Sequence, residues 1–366
     1  MKSARSIRIF TGISIAILAI SAISSLAFGT VSSFTNKVDA FAGLDKRPDK
    51  QSSAVNYLLV GSDTREGLSK EELKALRVGS VATAAGKRSD TMLLVHISKA
   101  RDKAVLISIP RDSYALIPEH TTKAGVVKPA VHSKINSAFN WGDAPLLIEV
   151  IENMTQLKID HYIEINFAGF ARVVDSLGGI EVCTKKDIDD PKSHLVLPAG
   201  VHTLNGIEAL KYVRTREFDG LGDIGRMQRQ QAFMSSVIQK ATSAGVLLNP
   251  ITVANFINSA LSAMTTDKDL KNSDLITLAK QIKSLSAASV RTLTVPLSDL
   301  NYYANGVTAS VLWDPILAPQ LWDRLRQDRA IVDEVSPSPS PSSSKEAKAD
   351  VVDKFKTRTA EDNICR

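Results

Sequence analysis

The amino-acid sequence predicts an α/β fold, namely a three-layer α/β/α domain with a central mixed sheet, preceded by one N-terminal transmembrane helix. Three observations predict it. A long uncharged stretch follows a basic N-terminal tip, short apolar runs alternate with amphipathic stretches in the middle of the chain, and no repeat or break in composition divides that middle part. Alternating strands and helices are typical of a sheet covered by helices on both faces.

The N-terminal stretch 9–28 is predicted to anchor the chain in a membrane. Its 20 uncharged residues can cross a bilayer core of about 30 Å as one helix. Lys2, Arg5 and Arg8 precede it, which favours a cytoplasmic tip and an extracytoplasmic remainder. A cleaved signal peptide is the alternative, but VDAFAG (38–43) is only a weak cleavage site. The sequence therefore predicts a single-pass protein of the cell membrane.

Strands and helices are predicted from apolar runs of different period. The predicted strands are NYLLVG (56–61), TMLLVHI (91–97), AVLISIP (104–110), HYIEI (161–165), IEVC (180–183) and VRTLTVP (290–296). The predicted helices are 145–156, 167–178, 205–216, 225–241, 250–264, 273–285 and 314–328. These elements are expected to form one domain.

The domain boundaries follow from composition and charge. A polar Pro/Ser segment, SPSPSPSSS (336–344), cannot pack, yet apolar residues return after it. The chain is therefore divided into a basic tip (1–8), a membrane anchor (9–28), a linker (29–54), an extracytoplasmic domain (55–331), a Pro/Ser-rich linker (332–350) and a tail (351–366). Cys183 and Cys365 are the only two cysteines, so a bridge between them is the only intramolecular disulfide available and is expected to anchor the tail.

Charged residues cluster where the predicted strands meet their loops. Asp63 and Arg65 follow the first strand, Arg88 and Asp90 open the second, and Arg111 and Asp112 follow the third. Ligands of open α/β sheets bind where such strand ends converge. Each pair alone favours an ordinary surface salt bridge over a ligand site, but pairs from separate strands together indicate a site.

A later segment, RTREFDGLGDIGRMQRQQ (214–231), adds more cations beside glycines. It contains Arg214, Arg216, Arg226, Arg229 and Gln230, of which the last three are spaced i, i+3, i+4 on one face of a helix. Guanidinium groups bind phosphate oxygens bidentately, and carboxylates among them are expected only where they hold a cation such as Mg²⁺. The net charge of +6 and pI of about 9.1 agree with an anionic ligand but do not identify it.

Several multi-residue motifs, taken together and in order, resemble the LytR-CpsA-Psr (LCP) family. They are NYLLVGSDTR, KRSDTMLLVHI, VLISIPRDS, HSKINSAFNWG, GGIEVC, LPAGVHTLNGIEALKYVRTR and GLGDIGRMQRQQAFM, and the resemblance covers about residues 55–331. The resemblance implies an extracytoplasmic α/β/α domain that binds a polyprenyl-pyrophosphate-linked glycan and transfers the phosphoglycan to peptidoglycan. The basic, Pro/Ser-tailed, Cys-terminated layout is similar to actinobacterial members.

The resemblance also implies roles for individual residues. Asp63 and Asp90 would bind Mg²⁺, and Asp112 or Asp223 would orient arginines or accept the proton of the attacking hydroxyl, with both assignments open. The residues expected around the pyrophosphate are Arg65, Arg88, Arg111, Arg214, Arg216, Arg226 and Gln230. The insertion EFDGLGD blurs the alignment of Asp219 against Asp223, and Arg229 suits packing as well as phosphate contact. Arg111, Asp112, Asp223 and Arg226 are the expected catalytic residues.

Two other functions use the same features. A non-catalytic receptor for polyprenyl phosphates or anionic wall polymers would need the arginines but not the paired carboxylates. A transcription regulator, suggested by the historical naming of the family, is disfavoured because the domain is expected outside the cytoplasm and no helix-turn-helix is evident, so nucleic acid is not an expected partner. The sequence contains no H-E-x-x-H, G-x-S-x-G or Walker motif. An apolar groove for lipid is expected, without named residues.

Overall fold

The computed structural model describes residues 35–76, 89–122, 125–216, 219–220, 222–241, 243, 246, 249–271, 273–275, 277, 289–335 and 350–359. Its strands are β1 (Asn36–Val38), β2 (Val55–Ser62), β3 (Ser89–Ile97), β4 (Ala104–Ile109), β5 (Tyr114–Ile117), β6 (His120–Thr121), β7 (Val127–Lys128), β8 (Val131–Lys134), β9 (His161–Ile165), β10 (Ile180–Thr184), β11 (Ile188–Asp190), β12 (Leu195–Leu197), β13 (Gly200–Leu204), β14 (Met264–Asp267), β15 (Val290–Thr294), β16 (Leu297–Ala304), β17 (Val307–Trp313), β18 (Asp333–Val335), β19 (Asp350–Val352) and β20 (Arg358–Thr359). Its helices are α1 (Lys70–Leu76), α2 (Ile135–Thr155), α3 (Phe167–Ser176), α4 (Gly206–Tyr212), α5 (Gly222–Ala241), α6 (Pro250–Ala263) and α7 (Leu317–Arg326).

A mixed sheet of eight strands lies at the centre of the described fold, in the order β1-β14-β9-β2-β3-β4-β15-β20. β2 runs parallel to β9, and β4 runs parallel to β15. β3 lies antiparallel between β2 and β4. One end of the sheet, called here the sheet edge, therefore contains the carboxyl ends of β2, β4, β9 and β15. The beginning of β3 lies at the same end.

Helices cover both faces of this sheet. On one face, alternate strand residues such as Leu58, Leu94 and Ile107 form a large buried cluster with side chains of α2 and α7. On the other face, Tyr57 and its neighbours pack against α6, and Leu93 packs against α5. A further apolar cluster joins α3 and α4 to β10. The predicted α/β/α layers and the mixed sheet are confirmed.

Most predicted elements are present, and three differ in extent or pairing. α2 begins ten residues before its predicted start at Pro145 and is kinked, because Gly142 and Asp143 have non-helical backbone angles. α4 ends at Tyr212, whose carbonyl accepts a hydrogen bond from Thr215 Oγ1, rather than continuing to Arg216. β10 pairs with β13 in a separate two-stranded sheet. The predicted helix 273–285 lies largely outside the described residues.

Segments on both sides of the predicted domain 55–331 join its sheet. β1, in the predicted linker 29–54, pairs with β14, and β20, in the predicted tail, pairs with β15. Within the described ranges, no helix has the length and apolarity needed to span a bilayer. The predicted anchor 9–28, the basic tip and most of the Pro/Ser-rich linker lie outside those ranges.

Gly206 allows α4 to pack closely on α3. A Cβ atom at this position would lie 2.7 Å from the carbonyl carbon of Ala171, which is backbone and cannot rotate away. We expect Gly206→Ala to lower the free energy of unfolding by about 1–3 kcal/mol, as overpacking typically does. Chemical denaturation measures it. Arg172→Ala, at an exposed position of α3, is the control, and equal stability of the two variants would contradict the prediction.

Candidate functional site

The predicted strand-end residues lie at the edge of the sheet where the carboxyl ends converge. Asp63 and Arg65 follow β2, and Arg111 and Asp112 follow β4, with all four side chains partly exposed. These two strands run in the same direction and are separated only by β3. The structure thus brings together at one edge two pairs that are almost 50 residues apart in sequence.

A β-bulge places Asp90 at the same edge. Gly61 of β2 pairs with Thr91, but the next residue, Ser62, pairs with Ser89, so Asp90 is the extra residue of β3. A bulge redirects the side chains beside it and is common next to functional sites. The backbone of Asp90 therefore adjoins the end of β2, where Asp63 follows. The side chain of Asp90 and the whole of Arg88 lie outside the described part of the structure.

An apolar cavity of about 160 Å³ opens between the sheet and the helices α3 and α5. Strand residues such as Leu59 and Leu93 line one side, and Phe170 and Phe233 line the other. Its polar side chains include three of the predicted ligands, namely Arg214, Arg226 and Gln230. The arrangement can hold an elongated molecule that has an apolar body and an anionic end.

The three predicted ligands reach the cavity from two segments. Arg226 and Gln230 are four residues apart on α5, so they share a face of the helix as the spacing predicts. Arg226 is only 3% exposed, and Gln230 Nε2 donates to the carbonyl oxygen of Val213 at 3.1 Å. The guanidinium of Arg214 lies 5.1 Å from the ring centre of Phe167. Asp223 is in the first turn of α5, and its side chain is not described.

Arg229 does not line this cavity but clamps the preceding loop. Its guanidinium donates to the carboxylate of Asp219 and, at 2.6 Å, to the carbonyl oxygen of Thr215. Burial raises the pKa of Tyr212, an effect that the charge of Arg229 partly offsets. Of the two roles considered for Arg229, these contacts favour packing.

Two polar residues that support the site were not identified from the sequence. Asp190 is buried and accepts from the backbone N–H of Arg216 at 2.5 Å, which fixes the base of the arginine-rich loop. Gln231 donates to Ser108 Oγ at 3.1 Å and to Thr294 Oγ1 at 2.9 Å, which joins α5 to the ends of β4 and β15. Gln231 belongs to the motif RMQRQQ, whereas nothing in the spacing around Asp190 indicates its partner.

Arg111 and Asp112 lie outside the cavity wall, in a turn held by backbone hydrogen bonds. The N–H of Asn136 donates to the carbonyl of Arg111 at 3.1 Å, and the N–H of Val311 donates to that of Asp112 at 2.9 Å. The Asp112 carboxylate lies between two cations, 3.5 Å from Arg111 Nε and 3.5 Å from Lys134 Nζ. Asp112 is thus placed to orient Arg111, and Lys134 is a cation that the sequence analysis did not include.

Neither the metal site nor the disulfide is tested by these contacts. Among the described side chains, no group of three or more His, Cys, Asp or Glu residues is arranged to hold a metal ion. Cys183 is buried on β10, whereas Cys365 lies outside the described residues. The Cys183–Cys365 pairing stays a prediction.

The ion pair between buried Arg229 and partly buried Asp219 is expected to contribute to stability. Gly225 leaves room for it, since a Cβ there would lie 2.7 Å from Asp219 Oδ2. We expect Asp219→Asn to lower the free energy of unfolding by about 1–3 kcal/mol, because a hydrogen-bonded charge loses its partner. Denaturant titration measures it. The matched control is Asp39→Asn, which breaks an exposed pair with Lys268 and should change stability little. Similar losses in both variants would contradict this role.

Comparisons with known proteins agree with one another. The family model described as the LytR_cpsA_psr family matches residues 26–321. The chain is 35% identical over 291 residues to the probable cell wall biosynthesis protein LcpB of Corynebacterium glutamicum, covering 80% of this chain and 65% of that protein. It is 36% identical over 202 residues to the polyisoprenyl-teichoic acid–peptidoglycan teichoic acid transferase TagT of Bacillus subtilis, covering 54% of this chain and 55% of TagT. The chain thus spans less than two thirds of either relative.

The fold has a counterpart of known structure. A LytR-Csp2A-Psr enzyme from Actinomyces oris superimposes with a TM-score of 0.61 at 21% identity, covering 80% of this chain and 96% of that one. At this identity the likeness concerns the fold, and it agrees with the mixed sheet and helical layers described above.

Proposed function

Because the chain belongs to the LytR-CpsA-Psr family, we propose that it transfers a phosphoglycan from a polyprenyl-pyrophosphate carrier to peptidoglycan. In this reaction a peptidoglycan hydroxyl oxygen bonds to the phosphorus that bears the glycan. The bond from that phosphorus to the bridging oxygen breaks, polyprenyl phosphate leaves, and the hydroxyl proton passes to a base. The name of TagT describes the transfer of a polyisoprenyl-linked polymer to peptidoglycan, which supports this assignment.

The cavity is the observation that carries the proposal. Its walls are apolar, and Arg214, Arg226 and Gln230 provide polar groups in the same lining. A polyprenyl pyrophosphate has this combination of properties, with an apolar chain ending in a diphosphate. Burial of Arg226 in a low-dielectric surrounding strengthens its attraction for phosphate oxygens. The cavity therefore suits the first part of the lipid and the pyrophosphate.

Each cation has a role in this reaction. Arg214 and Arg226 hold the pyrophosphate in the cavity, and Gln230 adds a hydrogen bond. Arg65 and Arg111, from the ends of β2 and β4, approach from the sheet edge. Positive charge around a transferring phosphoryl group stabilises its transition state. Arg216, on the loop that Asp190 fixes, and Arg88 complete the proposed set.

Two carboxylates at the sheet edge suit Mg²⁺. The bulge brings the backbone of Asp90 beside the end of β2, where Asp63 follows. Carboxylate oxygens are ligands that Mg²⁺ prefers. Asp63 and Asp90 would hold it, with phosphate oxygens of the donor as further ligands. When bound, Mg²⁺ neutralises part of the charge on the pyrophosphate.

The base is proposed to be one of the two carboxylates named from the sequence. Asp112 is flanked by Arg111 and Lys134, an arrangement that suits an orienting group. Asp223, in the first turn of α5, stands close in sequence to Arg226. We favour Asp112 as the residue that orients Arg111 and Asp223 as the proton acceptor.

The substrates of this reaction also place the protein. A lipid-linked donor is in the membrane and peptidoglycan lies outside it, so the proposed anchor 9–28 would hold the domain at the outer surface of the cell membrane. Lys2, Arg5 and Arg8 favour this orientation.

Incubation of the purified protein with a polyprenyl-pyrophosphoryl sugar, peptidoglycan and Mg²⁺ tests the function. We expect sugar phosphate covalently attached to peptidoglycan and polyprenyl phosphate released in equal amount. A reaction without peptidoglycan is the control. Tight binding of the donor with no transfer would support a non-catalytic receptor instead.

A further inference from the structure

The C-terminal segment 350–359, called here the docked tail, packs on the domain beyond the Pro/Ser-rich linker. β19 pairs with β18, and β20 adds an antiparallel strand to β15, with Arg291 opposite Thr359 and Thr292 opposite Arg358. The docked tail lies after residue 321, where the match to the family model ends. It is thus an addition to the part of the chain that the family model describes.

Side chains fix the docked tail in one position. Phe355 is 6% exposed and belongs to the buried cluster that contains Leu58 and Ile107, and the guanidinium of Arg324 lies 5.9 Å from its ring centre. Asp353 accepts from the N–H groups of Phe355 and Thr357 at 3.1 and 2.6 Å. Arg291 of β15 donates to Thr357 Oγ1 at 3.0 Å. These contacts join the docked tail to the core as well as to strand β15.

β15 connects the docked tail to the candidate site. Thr292, directly opposite Arg358, lines the apolar cavity. Two residues later, Thr294 accepts the hydrogen bond from Gln231 of α5, the helix that carries Arg226 and Gln230. With the docked tail removed, β15 would become an edge strand with unpaired backbone groups. The part of the cavity lining that Thr292 provides would then belong to an exposed edge strand.

We propose that the docked tail supports the donor site. It binds the side of β15 that would otherwise be unpaired, and it thereby keeps the cavity lining in the conformation that binds the lipid chain. Its partner surface is the β15 edge together with the core cluster that takes Phe355. The first half of the proposal, docking, is independent of the proposed function. The second half, support of lipid binding, rests on it.

Docking is tested in the full chain with a protease recognition sequence in place of 336–344 and with Cys365→Ser, which removes the predicted disulfide. After cleavage of the folded protein, we expect the docked tail to co-elute with the domain in gel filtration. Phe355→Ala should release it, whereas Lys354→Ala, at an exposed neighbouring position, should not. Release of the tail from the otherwise unchanged chain, or its retention in Phe355→Ala, would overturn the proposal.

Support of the cavity is tested by the affinity for farnesyl pyrophosphate, with inorganic pyrophosphate as the probe without an apolar chain. Phe355→Ala is expected to bind farnesyl pyrophosphate about fivefold or more weakly than Lys354→Ala, in the range of common coupling between sites. Inorganic pyrophosphate should bind both variants within about twofold, because it has no apolar chain to contact the cavity lining to which Thr292 of β15 contributes. Equal affinity of both variants for farnesyl pyrophosphate overturns this half. Failure of the unsubstituted protein to bind it overturns the proposed donor class and leaves the cleavage result standing.

Discussion

Replacing Arg226 by methionine is expected to lower the rate of transfer to peptidoglycan by a factor of about 10²–10³, the usual loss when one preorganised stabiliser of transition-state charge is removed. Arg226 is 3% exposed and lines the cavity beside Arg214 and Gln230. Methionine keeps most of the length of the side chain but removes the guanidinium. Single-turnover kinetics with saturating donor measure the effect on the chemical step.

Two further variants separate charge and geometry from folding. Arg226→Lys keeps the charge but loses the bidentate fork, so we expect activity between that of Arg226→Met and the unsubstituted protein. Arg172→Met, on the exposed surface of α3, should leave transfer unchanged. Because Arg226 is buried, its replacement can lower the free energy of unfolding by more than the loss of a surface salt bridge does. Thermal melting of each variant must therefore accompany the kinetics. Full activity of a folded Arg226→Met protein would remove this residue from the site.

The central strands could be predicted because their sequences are determined by local burial. β4 is buried at every position, and its run of Ala, Val, Leu and Ile allows little else. The hairpin of β16 and β17 was missed for the opposite reason. Every residue of β16 is exposed or partly exposed, and its sequence has no continuous apolar run. Its position is set by pairing with β17. A strand that forms only because it pairs with another strand cannot be predicted from a stretch of a few residues.

The candidate site could be predicted where helical spacing decides which side chains share a face. Arg226 and Gln230, four residues apart, do line one cavity. Arg229 has a spacing that suits the same face, but its partner Asp219 lies in the preceding loop and turns it away. Asp190 holds the backbone of Arg216 across 26 residues of sequence. Such long-range contacts depend on the conformation of the loops. Neither the periodicity of apolar residues nor the amino-acid composition predicts that conformation.

The proposed Mg²⁺ site gives a reason for the two carboxylates that accompany the arginines. Asp63 follows β2, and the bulge sets Asp90 at the beginning of β3 beside it. In the proposed reaction, negative carboxylates near a pyrophosphate would repel it unless they bind a cation. The proposed Mg²⁺ removes that conflict, because it would bind both carboxylates and the phosphate oxygens.

We expect Asp90→Asn to raise the Mg²⁺ concentration needed for half-maximal transfer by at least about tenfold, since loss of a group that supports a metal typically costs 10- to 100-fold in affinity. The amide keeps the shape of the side chain but has no charge, so activity at low Mg²⁺ should be small and should partly return as Mg²⁺ is raised. Asp63→Asn should behave alike, whereas Asp299→Asn, at an exposed position of β16, should follow the unsubstituted curve. A chelator should stop transfer by the unsubstituted protein. Transfer that continues in the chelator, or an unchanged Mg²⁺ dependence in both variants, would show that the two carboxylates do not hold a metal. A role in orienting Arg65 and Arg111 would then be the better explanation for them.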